Sequence, residues 1–243
     1  MKKKALGVGA IVALVILCFG LPALAQDDVS VQFTGGYSTT WSNSGGDYDA
    51  GIFTAKINGK SSHGIVSDDF NNEITSGETW GASAIQASSL TSSNIGETLF
   101  GNTIGITGYA EVATLVSMMF NDRTSYHGIT GITQAELSSA IWDITTTGGI
   151  SGLDANAQAL VAAVEAAYKG DSSKAQAYLA KLTNLWILTP TSQGPGEAPE
   201  FWTKGLAVPE GGTPLLYLLL AGISCFGALL FNNKDRVGRG ISA

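Results

Sequence analysis

Residues Val29–Trp41 read VSVQFTGGYSTTW. Apolar Val29, Val31 and Phe33 alternate with polar Ser30, Gln32 and Thr34, the period-two pattern of a strand with one buried face. The pattern breaks at Gly35-Gly36. The β texture then continues to about Ala87. NSGGDYDAG (43–51) reads as a turn cluster, and IFTAKING (52–59) as a strand closing on the hairpin signal Asn58-Gly59. HGIVSDDF (63–70) and TWGASAIQAS (79–88) are further candidate strands.

Past Ile95 the period changes. Tyr109, Val112, Ala113, Val116, Met119 and Phe120 recur at helical spacing. A second helix opens at Thr133, where TQAE forms a capping box, presents Leu137, Ala140, Ile141 and Ile144, and is ended by Gly148-Gly149. Asp154 caps a third, which carries Ala157, Leu160, Val161, Val164 and Tyr168 and stops at Gly170. A fourth, capped by Asp171 or Ser172, carries Ala175, Tyr178, Leu179 and Leu182. NLWILTP (184–190) returns to β character, TSQGPGEAP (191–199) is linker-like, and EFWTKG (200–205) reads as a last strand.

Strands, then helices, then strands is the order of an α+β domain, not of βαβ alternation. The expected architecture is an antiparallel β-rich sheet or sandwich interrupted by a helical subdomain. It would occupy 26–204, β-rich over 29–90, helical over 108–182 and β again over 184–203.

Two apolar runs flank this domain. Met1-Lys2-Lys3-Lys4, an uncharged stretch from Ala5 to Leu21 and the small-residue site Ala23-Leu24-Ala25 form the three regions of a secretory signal peptide over 1–25, with cleavage leaving Gln26 first. At the other end, Leu215 to Phe231 carries no charge and at about 1.5 Å per residue spans roughly 26 Å, the short limit for a bilayer crossing. We expect a single transmembrane helix over 214–231, with Lys234, Arg236 and Arg239 held on the cytoplasmic side. The intervening domain is then exported. It holds seven basic against eighteen acidic residues, a balance that repels nucleic acid and anionic lipid. Both cysteines, Cys18 and Cys225, lie in the apolar runs, so the domain has no disulfide, thiol nucleophile or cysteine-based zinc site.

Candidate chemistry is sparse. His63 and His127 are isolated, and no G-x-S-x-G, H-E-x-x-H or P-loop occurs. Asp47 and Asp49 in a Gly-rich turn, and Asp68-Asp69 near Asn71, Asn72 and Glu73, supply the oxygen ligands that Ca²⁺ favours, although their spacing matches no EF-hand. No other cofactor is expected. As a glycosidase pair, Asp68 and Asp69 are unsuited, because adjacent residues of a strand point to opposite faces.

The C-terminus resembles the PEP-CTERM sorting signals of Gram-negative bacteria. Val208-Pro209-Glu210 stands where that family has Val-Pro-Glu-Pro, with Gly211-Gly212 replacing the second proline, followed by the apolar span and the basic residues. The resemblance covers 205–243. It implies processing by an exosortase, a membrane-embedded transpeptidase, with the protein passing from the inner membrane to the cell surface or exopolysaccharide matrix. An extended Pro-Gly-Gly segment at the bilayer surface threads readily into such a site. HGIVSDDF, ETWGAS, YAEVATLVSMMF and SSAIWDI also resemble thioester-type adhesion domains. In reactive members a Cys precedes the acidic pair and a Gln lies four residues before the Trp. Here those positions are Ser67 and Ser138, and Gln134 lies eight residues before Trp142. The resemblance implies the fold without the bond: Asp68, Asp69, Phe70, Ala140, Ile141 and Trp142 become fold-holding residues.

The expected function is therefore a structural or adhesive, non-catalytic protein of the envelope or matrix. Alternatives are a displayed enzyme acting on carbohydrate, or a covalent adhesin with an ester bond or an isopeptide bond from Lys56 or Lys60.

Overall fold

The computed structural model describes residues 27–60, 62–192 and 197–206. The signal-peptide reading (Ala23, Ala25, Gln26) and the sorting-signal reading (Val208, Pro209, Glu210, Gly211, Gly212, the helix over 214–231, Lys234, Arg236 and Arg239) lie outside these residues.

The chain is a mixture of helices and antiparallel strands, with the sheet closed on itself. Strands β1 (Asp27–Gly35), β4 (Phe53–Ile57), β5 (Ser62–Ser67), β10 (Phe201–Lys204), β9 (Leu185–Pro190) and β6 (Thr79–Gln86) pair in that order, and β6 pairs back with β1. The antiparallel, β-rich sheet with helices is as expected, and its closure into a six-stranded barrel is the finer form that the expected sheet or sandwich takes. The physical reason lies in the interior: a ring of six strands is narrow and must be filled by its own side chains. Ala55, Ala82 and Ala84 alternate there with Phe33, Phe53, Leu188 and Phe201, so that the bulky rings have room. Closure also leaves no free sheet edge among these strands.

One side of the barrel faces water and the other faces the helices. On β1, Val29, Val31 and Phe33 point inward while Ser30 and Thr34 are exposed. On β5, β9 and β10 both faces are buried: Ile65, Leu188 and Phe201 fill the barrel, and Val66, Ile187 and Trp202 pack against the helical layer. That layer has α1 (Gly101–Phe120) at its centre, flanked by α2 (Gln134–Thr145), α3 (Ala155–Tyr168) and α4 (Ser172–Leu179), with the short paired strands β7 (Ser125–Tyr126) and β8 (Ile129–Thr130) between α1 and α2 in the chain. α1 is long and apolar enough to cross a membrane by composition, but Tyr109, Val112, Leu115, Val116 and Met119 make it the core helix of this fold.

Local signals set the helix ends. Thr133 Oγ1 accepts the Glu136 N–H at 3.2 Å while Glu136 Oε2 accepts the Thr133 N–H at 2.6 Å, so the capping box forms. Asp154 accepts from Ala157 N, and Asp171, not Ser172, caps α4. α1 starts earlier than the helical block expected from residue 108, and Gly105 (φ 63°, ψ −171°) kinks its first turn, which is why the apolar period is readable only beyond it.

One correction concerns 43–51. Only Ser44-Gly45 turns; Gly46–Ala50 is strand β3, paired with β2 (Thr39–Asn43), for example Trp41 with Tyr48. Strand propensity is poor here. The hairpin is held by tertiary packing of Trp41 and Tyr48 on Phe70 and Trp142, with ring centroids 4.9–6.1 Å apart.

Candidate functional site

One end of the barrel opens into a cavity of about 300 Å³. Antiparallel pairing brings the end of β1, the start of β4, the end of β5 and the start of β10 to this mouth, so Phe33, Phe53, Ser67 and Phe201 form its floor. The β2–β3 hairpin contributes Asp47, Tyr48 and Asp49, the loop after β5 contributes Asp69, Phe70, Asn72, Glu73 and Ile74, and α2 contributes Trp142.

The hairpin is fastened to α2. Gly51 N donates to Ser138 Oγ at 2.8 Å, Asn43 Nδ2 to Ser151 O at 3.1 Å, and Ser38 Oγ to Gln134 Oε1. Gly51 has φ +88°, and a Cβ there would run into Ser38 and Gln134, so only glycine fits. From the same helix, Trp142 Nε1 donates to Ser67 O at 3.2 Å and Thr145 Oγ1 to Asp68 O at 2.5 Å. Trp142 therefore both pins the end of β5 and lines the cavity. Phe70 stands 5.5 Å from it and Tyr48 stands 4.9 Å from Phe70, an aromatic wall running from helix to hairpin.

Asp47, Asp49 and Glu73 are exposed on the rim, and among the described residues no Lys, Arg or His lines the cavity. Asp69 is partly committed: Oδ1 accepts Asn71 N at 2.9 Å and Oδ2 accepts Asn72 Nδ2 at 2.7 Å. Of the four carboxylates read as calcium candidates, Asp47, Asp49 and Asp69 surround this cavity, whereas Asp68 turns away from it. Among the described residues no group of three or more His, Cys, Asp or Glu is close enough to hold a metal ion.

The two serines at the thioester positions have separate engagements. Ser67 Oγ donates to Asp69 O at 3.1 Å and accepts Asp69 N at 3.2 Å, while Ser138, 1% exposed, serves Gly51. No hydrogen bond joins the two among the described residues. Lys56 and Lys60 are exposed, away from the buried setting in which a side-chain amide would form.

Sequence reasoning missed a second acid, Glu200, which pairs with Asp68 behind the cavity. Both are fully buried. Glu200 Oε1 accepts Tyr109 Oη at 2.5 Å; Oε2 accepts Leu99 N at 2.9 Å and Thr189 Oγ1. Asp68 Oδ2 accepts Trp202 Nε1 at 2.6 Å. Among the described residues Asp68 Oδ1 receives no donor, which is the arrangement expected if it carries a proton directed at Glu200. Burial, then the charge of Glu200, pushes Asp68 well up from the usual carboxylate range. Burial also raises Glu200, but its donors oppose the rise, an arrangement that favours the charge on Glu200 and the proton on Asp68. The available signal was an acid inside the apolar run Ala198-Pro199-Glu200-Phe201-Trp202. The pair ties β5, β9, β10, α1 and the loop before it into one network and does not line the cavity.

Compared with family models, curated proteins and solved structures, the chain has no match.

Proposed function

We propose that this chain is an exported, non-catalytic protein of the cell envelope or extracellular matrix, delivered through a C-terminal sorting signal, and that the barrel-mouth cavity binds a neutral saccharide of that matrix. The observation that carries the binding role is the pairing of an aromatic wall (Tyr48, Phe70, Trp142) with a rim of carboxylates and, among the described residues, no cation. Pyranose rings offer C–H faces that lie on aromatic rings and hydroxyls that donate to carboxylates. The acidic surface disfavours anionic polysaccharide, so the proposed ligand is uncharged.

Delivery rests on the order Val208-Pro209-Glu210, apolar span, Lys234, Arg236 and Arg239. A hydrolase reading finds less support. It needs one protonated acid and one carboxylate facing each other across the bound sugar, and the acids that burial pushes up, Asp68, Glu111 and Glu200, lie outside the cavity.

Two experiments test the proposal. Neutral matrix polysaccharide cast into a native gel should retard the protein, and Phe70→Ala should abolish the retardation while the fold persists by circular dichroism. Equal migration with and without polysaccharide would reject the binding role. In a host with an exosortase, Pro209→Ala with Glu210→Ala should leave full-length precursor in the inner membrane; normal processing would reject the sorting role.

A further inference from the structure

A second hollow, of about 410 Å³, lies between α1, the end of α2 and α3, apart from the barrel mouth. Glu111 of α1, Asp143 of α2 and Glu165 of α3 line it, and among the described residues no Lys or Arg does. Glu111 is only 9% exposed, yet no hydrogen bond or ion pair reaches its carboxyl among the described residues. A carboxyl so enclosed normally has a partner, because desolvating it alone is costly. The Glu111 oxygens still reach the groove, whereas Thr146 Oγ1, on a residue that lines it, is fully buried and has no partner among the described residues. An unpartnered carboxyl and an unpartnered hydroxyl thus border one space.

We propose that this groove binds an alkylammonium group, its N–H donors shared among Glu111, Glu165 and Thr146 Oγ1 and its carbon chain lying along Ile104, Ile144 and Val161. An ammonium has three donors to distribute and accepts the mixture of carboxylate and hydroxyl found here. A bare divalent ion fits less well, since no three carboxylates come close enough to hold one among the described residues. The groove is mostly polar, with Ile104, Ile144 and Val161 as an apolar margin, and that margin gives the methylenes of an organic cation a place to lie. Asp143 is the third titratable group on the groove, and its Oδ1 is occupied by Ile150 N at 2.8 Å. Burial, then Glu165, pushes Glu111 up to about 7, so the groove gains charge as pH rises through neutrality and should then hold the cation more tightly.

The test uses the full chain in detergent micelles, titrated calorimetrically with 1,5-diaminopentane and with Nα-acetyl-lysine amide. At about pH 8 at least one should bind saturably. Glu111→Gln and Glu165→Gln should each weaken that binding about tenfold, as should lowering the wild type to about pH 6. Both variants should melt no lower than the wild type, since neither carboxyl takes part in a hydrogen bond or ion pair among the described residues. Preference for the lysine amide would identify a protein side chain as the ligand, and preference for the diamine a free polyamine. Absence of saturable binding at about 10 mM of either probe, binding unchanged in both variants, or displacement by an equal concentration of Ca²⁺ would overturn the proposal.

Discussion

Asp68 and Asp69 are neighbours in the chain and belong to two different electrostatic worlds. Asp68 points into the core, out of reach of water and beside the buried carboxyl of Glu200, and both are raised above the usual carboxylate range. Asp69 borders an open cavity beside the exposed carboxylates Asp47, Asp49 and Glu73. In the first region a carboxyl is part of the scaffold and its removal strands several donors. In the second, Asp47, Asp49 and Glu73 are surface acceptors with little to hold in place, and Asp69, itself buried, holds only its own loop through Asn71 and Asn72. The same residue type should therefore show large effects on stability at the buried pair and almost none at the exposed rim acids.

The sharpest test of that contrast is Glu200→Ala. It leaves the Leu99 N–H and the hydroxyls of Thr189 and Tyr109 buried without their acceptor. Breaking such a network typically costs about 3–5 kcal/mol, read from chemical denaturation. A loss under about 1 kcal/mol would show that water reaches the pair and would erase the distinction between the two regions.

Asp68→Asn sharpens it through pH. Both Asp68 and Glu200 are raised in the folded state. The native protein therefore binds more protons than the unfolded chain above the unfolded carboxylate range, near pH 4, and stability falls as pH rises from there. Asparagine reproduces the protonated acid: its oxygen accepts from Trp202 and its amide donates to Glu200. The variant should gain on the wild type as pH rises from about 5 to 9, by about 1.4 kcal/mol for each pKa unit of the lost shift. A difference in melting temperature that does not change with pH would place the proton elsewhere.

How much of this was readable depends on whether the determining contacts are local. The alternation of β1 was readable because its outer face meets water, and the Thr133–Glu136 box because both partners lie within one turn. Barrel closure was not, since Phe201 pairs with Ser67 across more than half of the chain, and no local pattern encodes that. Residues 46–50 looked like a turn because Gly and Asp have poor strand propensity, but aromatic packing on Phe70 and Trp142 overrides it. At the site, the sequence identified Asp47, Asp49, Ser67 and Asp69 as separate features; only the fold brings them around one cavity. Glu200 was passed over because its neighbours Phe201 and Trp202 marked a strand, while its partners come from distant segments.

Ser138 lies between the two regions in expected effect. Its hydroxyl accepts a single backbone N–H, from Gly51, and so anchors the hairpin that carries the rim acids. Ser138→Ala should cost about 1 kcal/mol. It should also speed hydrogen exchange at Gly51 while leaving the core amides of α1 protected. Slowed or unchanged exchange at Gly51 would mean that packing of Trp41 and Tyr48 alone seats the hairpin.

The smallest effect on stability is expected from the rim. Asp47 and Asp49 are exposed on β3. Replacing both with Asn keeps the size and removes charge that repels Asp69 and Glu73 across the mouth, so unfolding free energy should move by no more than about 0.5 kcal/mol. Saccharide retardation should nevertheless weaken, because an amide oxygen accepts a sugar hydroxyl less strongly than a carboxylate does. Stability and binding thus respond in opposite proportion at the rim and at the buried pair. If the double variant instead lost stability on the scale of Glu200→Ala, the rim acids would be scaffold as well, and the cavity they border would have no claim to be a recognition site.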